Sequence, residues 1–595
     1  MKESGWQLND GAKVVPGRGV SFRVWAPRAR AVAVHLLGRA AVPMKKVKDG
    51  YFQVEVKEAN PGDEYVYVLD GELERPDPVS RRQPRGVHGP SGVLDPSSFQ
   101  WDDDDWRGLP LEQYILYEIH TGAFTLEGTF EGILSKLPYL KRLGITAIEL
   151  MPAASFPGER NWGYDGVGLY APQESYGGPL GLKILVNACH LQGIAVVLDV
   201  VYNHLGPEGN YLADFGPYFT DRYKTPWGEA INYDEAYSDQ VRQFVIDNAL
   251  YWLTEYHIDA LRLDAVHAIF DFSACHILEQ LQYAFREQAR CLGRKAYLIA
   301  ESDLNDARLL SPKEKGGYHL DAQWNDEFHH ALHTLLTKNS KGYFADFGKI
   351  FHLQKAMTEG FVYDGQWSAY RKRHFGSSSK HLPGEKFVVF IQNHDQIANA
   401  CRGSTLATLV TTDQLKTAAY LLFFSPNIPL IFMGQEWGSQ SPFYFFTSFT
   451  DSALAAAVSE GRKKEYASHG IAENFHDPQS IDTFHASKLD WSWENDSKHM
   501  QIFQLYQKLI ELKKQNLALV SCNKDSLDFH YDEKQKWCCL VYSEPQEKIA
   551  LAVNLSRSPQ QIGQLPGYPQ LEGETMSPWS VQLWTGSFRV EGDWK

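Results

Sequence analysis

The chain has 595 residues, of which 43% are hydrophobic, so it is long enough for about two to four domains and apolar enough to fill their cores. Its formal charge of -15, without a long run of Lys or Arg, argues against a nucleic-acid partner or a membrane surface and favours a neutral ligand. The 7 cysteines include no Cys-x-x-Cys pair and therefore predict neither a disulfide framework nor a zinc site.

The beginning of the chain predicts a small β domain. Met1 to Trp6 lack the apolar core of a signal peptide, so we expect a cytoplasmic protein. Residues 1–95 then alternate apolar and polar positions with a period of two, which predicts an antiparallel β-sandwich. Residues 96–112 form a predicted linker. We expect its acidic run, 102–105, to be solvated and Trp101 and Trp106 to anchor the ends of that run.

Between residues 113 and 489 the pattern changes to short apolar strands that alternate with amphipathic helices. One such helix ends at Gly144, a predicted C-cap. No glycine-rich phosphate loop follows any strand, so the pattern favours a (β/α)8 barrel of the TIM type over an open nucleotide-binding sheet. The eight predicted strands are 115–119, 147–150, 195–200, 260–263, 297–300, 320–324, 387–391 and 430–432.

The most apolar stretch, 418–433, is interrupted by Pro426 and Pro429. A helix that crosses a membrane needs about 20 unbroken apolar residues, so this stretch predicts a buried helix, a turn and a strand. Residues 490–595 begin with a helical pattern and then return to alternating strands, which predicts a C-terminal antiparallel β domain.

Polar residues accumulate where several of the predicted barrel strands end. The fourth strand carries Arg262 and Asp264, which are costly to bury unless they are paired. Any one such residue could be a helix cap or an ion-pair partner, but a barrel brings the carboxyl ends of its strands together at one mouth, so the set predicts an active site. The other members are Asp199, Asn203, His204, Glu301, Asn393, His394 and Asp395.

Three carboxylates at one barrel mouth suit the cleavage of a glycosidic bond. Retaining cleavage needs a nucleophilic carboxylate and a carboxylic acid about 5 to 5.5 Å apart, and Asp264 and Glu301 on adjacent strands could meet that requirement. Arg262 would keep Asp264 ionised, while Asp395 would stabilise the positive charge of the transition state. The histidines of this set do not have the spacing of helical metal ligands, so the pattern does not support a metal site, although it leaves a structural calcium open. Acetal chemistry uses only carboxylates, so we expect no cofactor.

These segments resemble the four signature regions of the α-amylase superfamily, in the usual order. The resemblance covers 199–204, 260–264, Glu301 and 393–395, and it implies a (β/α)8 barrel with a retaining mechanism. It implies that Asp264 is the nucleophile, Glu301 the acid/base and Asp395 the transition-state aspartate. Further positions match substrate-contacting residues of the superfamily: Tyr164, Asp165, His204, Arg262 and His394.

Within the superfamily, nearly the whole chain resembles the maltooligosyltrehalose trehalohydrolase family. Supporting segments include 83–91, 215–219, 326–330, 361–366 and 432–438, whereas Ala398 departs from the glycine usual in that family. The resemblance implies hydrolysis of the α-1,4 bond next to a terminal trehalose, with maltooligosyltrehalose and related α-glucans as substrates. The oligomeric state is not implied by any segment.

The aromatic loops are candidate walls for the sugar subsites, because flat rings stack on sugar faces. His329 is open to two interpretations: a satisfied histidine at the start of a helix, or a hydrogen-bond partner of the substrate. Its neighbours Asp326 and Glu327 could either cap that helix or face the glycan. The aromatic residues concerned are Trp162, Tyr211, Tyr218, Phe219 and Trp227.

Three other functions compete with trehalose release. A glycogen branching enzyme would use the same carboxylates, although Asp165 argues against it because branching enzymes usually have glutamine at the matching position. A debranching hydrolase is a closer alternative. A glycan-binding protein without activity is a third hypothesis, but binding alone would not need a nucleophile and an acid together.

Overall fold

The computed structural model describes residues 5–400, 403–468, 475–543, 548–563, 565, 568, 573, 575–585 and 588–589. It contains an N-terminal β-sandwich, a closed parallel barrel and a C-terminal antiparallel sheet, which confirms the predicted fold class. The residue numbers of the domain boundaries stay a prediction, as does the cytoplasmic location. In the described ranges, no helix is both long and apolar enough to cross a membrane.

The N-terminal sandwich consists of two antiparallel sheets that face each other. Side chains alternate along the strands, so that Phe22 is buried in the shared core. Trp25 packs edge-on against Tyr218 of the barrel loops, with 5.1 Å between ring centroids, and so holds the sandwich against the barrel. The first sheet contains Gly11–Val15, Gly19–Trp25, Tyr51–Val56 and Lys45–Lys46 in spatial order. The second contains Val42–Pro43, Val32–Leu36, Glu64–Leu69 and Leu73–Arg75, with Ser91–Gly92 paired to Glu64–Leu69.

The barrel has eight parallel strands, which match the eight predicted strands except at their ends. Helices cover the outside and side chains fill the inside, so the strands are buried on both faces and have nearly continuous apolar sequences. In order around the barrel they are Leu116–Ile119, Ala147–Leu150, Ala195–Val200, Ala260–Leu263, Tyr297–Ala300, Ala322–Trp324, Phe387–Phe390 and Ile428–Phe432.

Helices alternate with these strands, and their ends carry the expected signals. One helix ends at Gly144, whose φ of 100° is the left-handed conformation that glycine adopts without steric cost, as predicted. Another begins with a capping box formed by Thr411 and Gln414. The helices between the first strand and residue 468 are Thr121–Phe124, Phe130–Ser135, Leu137–Leu143, Gly178–Leu191, Leu212–Phe215, Ser238–Glu255, Ile277–Leu292, Asp326–Thr337, Ile350–Thr358, Leu406–Leu409, Thr412–Phe423 and Ser452–Ser468.

The apolar stretch 418–433 forms the end of one helix, a turn and the eighth barrel strand, as predicted. Two-stranded hairpins project from the loops that follow the second, third and sixth strands, and they extend the mouth of the barrel. They are Ala154–Ser155 with Gly168–Pro172, Phe219–Thr225 with Gly228–Ile231, and Asp364–Ser368 with Arg373–Gly376.

The C-terminal part follows the predicted order of a helix and then antiparallel strands. Cys538 and Cys539 lie in separate apolar clusters on the two faces of one strand, as the period of two requires. Its helices are Ile481–Ala486, Ser497–Gln515 and Leu517–Val520. Its main sheet contains Leu527–Asp532, Trp537–Ser543, Lys548–Asn554, Val581–Thr585 and Phe588–Arg589, and Gln560–Gln561 pairs with Thr575–Met576.

The acidic run before the barrel is not simply solvated, and that expectation was wrong for Asp103. Its buried carboxylate lies 2.7 Å from Nδ1 of His190 and 2.8 Å from Nδ1 of His257, and accepts a hydrogen bond from Arg294 at 3.2 Å. Burial opposes ionisation, but these partners outweigh it and lower the pKa of Asp103. The two tryptophans do anchor the run, because Trp101 stacks on the ring of His257 and Trp106 on that of His190.

We predict that Asp103→Asn lowers the free energy of unfolding at pH 7 by about 3 kcal/mol, because it leaves buried positive groups without their counter-charge. Denaturant unfolding followed by tryptophan fluorescence measures the loss. Asp104→Asn is the matched control: its side chain is exposed and its removal is expected to change the free energy by less than about 0.5 kcal/mol. Equal effects of the two substitutions would contradict a special role for Asp103.

Candidate active site

The inside of the barrel changes from apolar to charged toward the carboxyl ends of the strands. The lower part is filled by an apolar cluster that includes Ala147, Val197 and Ala260. Side chains two positions later on a strand point the same way, so Glu149, Asp199 and Arg262 form a charged layer above that cluster. The site is therefore built on rigid strands rather than on loops alone.

Arg262 is the centre of this layer and has no solvent exposure. Its Nη1 donates hydrogen bonds to the carboxylate of Asp199 at 2.8 and 3.0 Å and to Oδ1 of Asp264 at 2.8 Å. Its Nη2 lies 3.7 Å from Oε2 of Glu301. The guanidinium also lies 4.3 Å from the ring centroid of Trp324, which adds a cation–π contact. One buried positive charge therefore holds three carboxyl groups together.

Asp264 and Glu301 lie side by side at the tips of adjacent strands. Asn203 donates to Oδ2 of Asp264 at 2.8 Å, so each oxygen of this carboxylate has a donor. The backbone N–H of Ala265 donates to Oε2 of Glu301 at 2.5 Å. Their side chains are 13% and 15% exposed, respectively, so both can be reached from the mouth of the barrel.

The Glu301 carboxyl is suited to hold a proton. Burial raises its pKa, the nearby charge of Asp264 raises it further, and Arg262 only partly opposes these effects. Ala265 has a φ of 40°, a left-handed conformation that is uncommon for residues with a side chain. This local strain is offset by the hydrogen bond that Ala265 donates to Glu301.

Asp395 and His394 complete the set in the loop that follows the seventh strand. Nδ1 of His394 hydrogen-bonds to the Glu118 carboxylate, and its Nε2 lies 2.8 Å from the hydroxyl of Tyr164 and 3.5 Å from Asp395. Burial disfavours a charged ring, but the charges of Asp395 and Glu118 outweigh it and raise the pKa of His394 to about 9. Asp395 itself is 48% exposed and faces the mouth of the barrel.

Tyr164 connects the two sides of the site. Its hydroxyl donates to Asp199 at 2.8 Å, and its ring stacks on that of His394, with 5.3 Å between centroids. Asp165 is partly buried and accepts a hydrogen bond from Asn161 at 2.7 Å. Of these two predicted substrate contacts, Tyr164 joins the catalytic network directly, whereas Asp165 borders it.

His204 and Trp227 form a stacked pair beside Asn203. Nδ1 of His204 lies 2.5 Å from Oδ1 of Asn203, and its ring stacks on Trp227 with centroids 4.2 Å apart and planes 5° apart. Trp227 sits at the turn of the hairpin formed by Phe219–Thr225 and Gly228–Ile231 and is 49% exposed. This hairpin therefore presents a flat aromatic surface next to the candidate catalytic residues.

The other predicted aromatic walls are less open. Trp162 and Tyr218 are buried, and the indole N–H of Trp162 donates to the Tyr444 carbonyl. Tyr211 contacts His88, and Phe219 is packed against the core. Trp162 nevertheless lies edge-on to His394, with 5.4 Å between ring centroids, and so borders the site.

His329 lies apart from the catalytic network. It is buried within the helix Asp326–Thr337, its Nδ1 lies 2.6 Å from the carbonyl oxygen of Ile391, and its ring packs near His333. Its Nε2 is buried and has no hydrogen-bond partner in the described part of the chain, so a substrate contact of His329 stays a prediction. The helix is capped by neither Asp326 nor Glu327 but by Asn325.

Asp326 and Glu327 have different surroundings. Asp326 accepts a hydrogen bond from Gln396 at 2.8 Å, and burial together with the charges of Glu301 and Asp395 raises its pKa well above the usual range. Glu327 is turned away and accepts hydrogen bonds from the backbone of the segment near Tyr363. Asp326 therefore belongs to the edge of the site.

Sequence reasoning missed two carboxylates, Glu118 and Glu149, on the first and second strands. Both are buried, and they face each other in register. Burial and the charges of Glu118 and Asp199 raise the pKa of Glu149 well above the usual range. The signal that singled out Arg262, a charged residue inside a short apolar strand, is present at both positions and could have identified them.

Among the described residues, no group of three or more His, Cys, Asp and Glu side chains is placed to hold a metal ion. The positive charges inside the site come from Arg262 and His394. The arrangement can bind a neutral polyol, supply a proton from Glu301 and present the Asp264 carboxylate to an electrophilic carbon.

Comparison with known proteins agrees with this geometry. Residues 94–225 match the model of the alpha-amylase catalytic domain, and residues 10–80 match carbohydrate-binding module 48, the isoamylase N-terminal domain. A crystal structure from Salmonella typhimurium, provisionally described as an alpha amylase, is 39% identical and superposes with a TM-score of 0.90, covering 98% of this chain and 100% of that one.

Two curated relatives are similar over most of their length. The malto-oligosyltrehalose trehalohydrolase of Saccharolobus solfataricus is 47% identical over 528 residues, which are 88% of this chain and 91% of the relative. The enzyme of the same name from Arthrobacter ramosus is 44% identical over 499 residues, 83% of this chain and 87% of the relative. On this evidence of sequence, fold and site, the chain belongs to the malto-oligosyltrehalose trehalohydrolase family of glycoside hydrolases.

Proposed function

We propose that this protein hydrolyses the α-1,4-glucosidic bond next to the terminal trehalose of maltooligosyltrehalose and releases trehalose with retention at the anomeric carbon. The observation that carries the chemistry is the contact of one guanidinium, that of Arg262, with both Asp264 and Glu301. The two residues directly follow Leu263 and Ala300, which are paired in register on adjacent strands. Carboxyl groups on neighbouring strand ends suit a covalent glycosyl-enzyme mechanism better than an inverting one, which needs room for a water between them. The choice of substrate is supported by membership of the family.

In the first step, Glu301 donates its proton to the glycosidic oxygen while Asp264 attacks the anomeric carbon. The bond to the trehalose unit breaks, trehalose leaves, and an ester joins the glucosyl unit to Asp264. In the second step, Glu301 removes a proton from water, which attacks the same carbon and releases the carboxylate of Asp264. The donors Arg262 and Asn203 fix the orientation of the nucleophile throughout.

Asp395 and His394 would act on the sugar ring at the point of cleavage. The carboxylate of Asp395 stabilises positive charge that develops on the ring, and the ring of His394 donates hydrogen bonds from a position fixed by Glu118. Trp227 offers its exposed face to a neighbouring sugar. The reaction uses carboxyl groups and water and needs no cofactor.

The substrate assignment predicts trehalose as the main small product. Purified protein is incubated in parallel with maltooligosyltrehalose and with a plain maltooligosaccharide of equal length, and the products are separated by chromatography. We expect trehalose and a shortened maltooligosaccharide from the first substrate, and much slower cleavage of the second. Equal cleavage of both, or longer branched products without hydrolysis, would contradict trehalose release and favour a debranching or branching function.

Asp264→Asn is expected to lower kcat by at least about a thousandfold, because the amide cannot form the covalent intermediate. The substitution keeps the size of the side chain but removes one negative partner of the buried Arg262, so the protein is expected to fold with a lower melting temperature. Rates of trehalose release and thermal unfolding curves measure the two quantities. A folded Asp264→Asn protein with near-normal turnover would rule out Asp264 as the nucleophile.

The raised pKa of Glu301 predicts the shape of the pH profile. The protonated acid is the competent form, so activity is expected to fall as the pH rises through that pKa, and the raised value extends activity toward neutral pH. Glu301→Gln should abolish this basic limb and slow maltooligosyltrehalose by about a thousandfold. The kcat/KM of a maltosyl fluoride, which reports the first step and whose leaving group needs no proton, should be affected far less. An equal loss on both substrates would point to a different acid.

A further inference from the structure

The three catalytic carboxylates are not held equally. Asp264 and Glu301 are mostly buried and accept hydrogen bonds from donors on the barrel strands and the turn after the fourth strand. Asp395 is 48% exposed, and within the described ranges its carboxylate contacts Nε2 of His394 at 3.5 Å and Nδ2 of Asn399 at 3.2 Å. Its orientation therefore depends on groups outside the barrel strands.

Asn399 reaches Asp395 because of the wide turn that follows the seventh strand. Residues Gln396–Ala400 form one turn of π-helix, a rare geometry that is frequent at functional sites. Ala398, where the sequence departs from the family pattern, is buried in the core. Its neighbour Asn399 is consequently turned outward, toward Asp395 and solvent.

The amide of Asn399 has a defined orientation because an arginine binds its oxygen. Nη2 of Arg462 donates to Oδ1 of Asn399 at 2.8 Å. A guanidinium can only donate, so the oxygen of the amide must face Arg462 and the NH2 group must face Asp395. The two contacts form a chain from Arg462 through Asn399 to Asp395.

The helix that carries Arg462, Ser452–Ser468, is itself fixed relative to the barrel. Oδ1 of Asp451 caps its first turn by accepting from the N–H groups of Ala453 and Leu454 at 2.9 Å. The buried carboxylate of Glu208, in the loop after the third strand, accepts from the N–H of Thr450 at 2.9 Å. The helix is therefore tied to the barrel loops at its start.

Two more contacts hold the middle of this helix. Ser459 donates to Asp477 at 2.6 Å, and the guanidinium of Arg462 lies 5.3 Å from the ring centroid of Phe445. A cation–π contact of this kind limits the motion of a long side chain at a partly exposed position. Arg462 is thus presented to Asn399 from a defined direction.

We propose that Arg462 and Asn399 are positioning residues, which orient the exposed carboxylate of Asp395 for transition-state stabilisation. The inference rests on the proposed function, since it assigns a support to one of the catalytic carboxylates. A carboxylate that must be ordered anew in each turnover contributes less to catalysis than one already in place, so the two residues increase kcat. They do not touch the substrate.

The test is a double-mutant cycle. Steady-state trehalose release from maltooligosyltrehalose is measured for Arg462→Ala, Asn399→Ala and the double variant. Each single change is expected to lower kcat by about tenfold with less than about a twofold change in KM. The double variant should lose no more than the larger single effect, because both residues act through one contact. If the loss of kcat in the double variant equals the product of the two single losses, Arg462 and Asn399 act independently and the proposal fails.

Two further variants separate positioning from a general effect on structure. Lys463→Ala changes the next, exposed residue of the same helix and should leave kcat unchanged. Arg462→Lys keeps a donor and should recover activity to within about threefold of the unchanged protein. In an Asp395→Asn background, Arg462→Ala should cause no further loss of residual activity. A further tenfold loss there would show that Arg462 acts elsewhere, and the proposal would fail.

The proposed function and the positioning proposal can fail separately. If the unchanged protein releases no trehalose, the substrate assignment fails, and the cycle is run on the α-glucan that it does cleave, since any such cleavage uses Asp395. If trehalose is released but Arg462→Ala and Asn399→Ala retain full kcat, the positioning proposal alone fails. Melting temperatures are recorded for each variant. If Arg462→Ala does not fold, the question is decided by measuring Asn399→Ala both in the unchanged protein and in the Asp395→Asn background.

Discussion

The site depends on a positive charge buried in the barrel. Arg262 has no contact with solvent, and a guanidinium in such a place is stable only when carboxylates offset its charge. Asp199 and Asp264 supply that negative charge at Nη1, and Trp324 covers the guanidinium on its flat side. Removal of any partner would leave a charge without compensation. The same ion pairs that make the buried arginine tolerable also bring the proposed nucleophile and acid together, so stability and catalysis use one set of contacts.

The barrel can hold this charged layer because successive side chains of each strand point alternately into the barrel and out toward the helices. Small and aliphatic side chains fill the lower part, and positions two residues further along the same strands carry Glu118, Glu149 and Asp199. A charge placed one residue earlier or later would point outward into the helices. The difference in surroundings then separates the roles: hydrogen bonds orient Asp264, while burial favours a protonated Glu301.

The mouth of the barrel is assembled from segments that are distant in the chain. Glu208 illustrates this: its carboxylate lies 3.0 Å from His88 of the N-terminal part and accepts from the backbone of Thr450 after the eighth strand. The hairpin tip with Trp227 stacks on His204, and Arg462 reaches Asn399 from a helix beyond the barrel. The strands place the reacting carboxyl groups, whereas these loop contacts shape what they can bind and how firmly Asp395 is held.

The sequence alone determined the eight strands, the flanking β domains and the polar residues at the strand ends, because hydrophobic alternation and charges in apolar runs are local patterns. Only the tertiary structure decided which charges meet. Asp103 is one of four consecutive aspartates, yet it is buried because His190 and His257, far along the chain, approach it. Likewise, the interior position of His329 and the contact of Arg462 with Asn399 depend on how distant segments pack. The position of a residue within a strand or helix determines the face of that element on which it lies. Its partner from a distant segment is determined by long-range packing, which no local sequence pattern records.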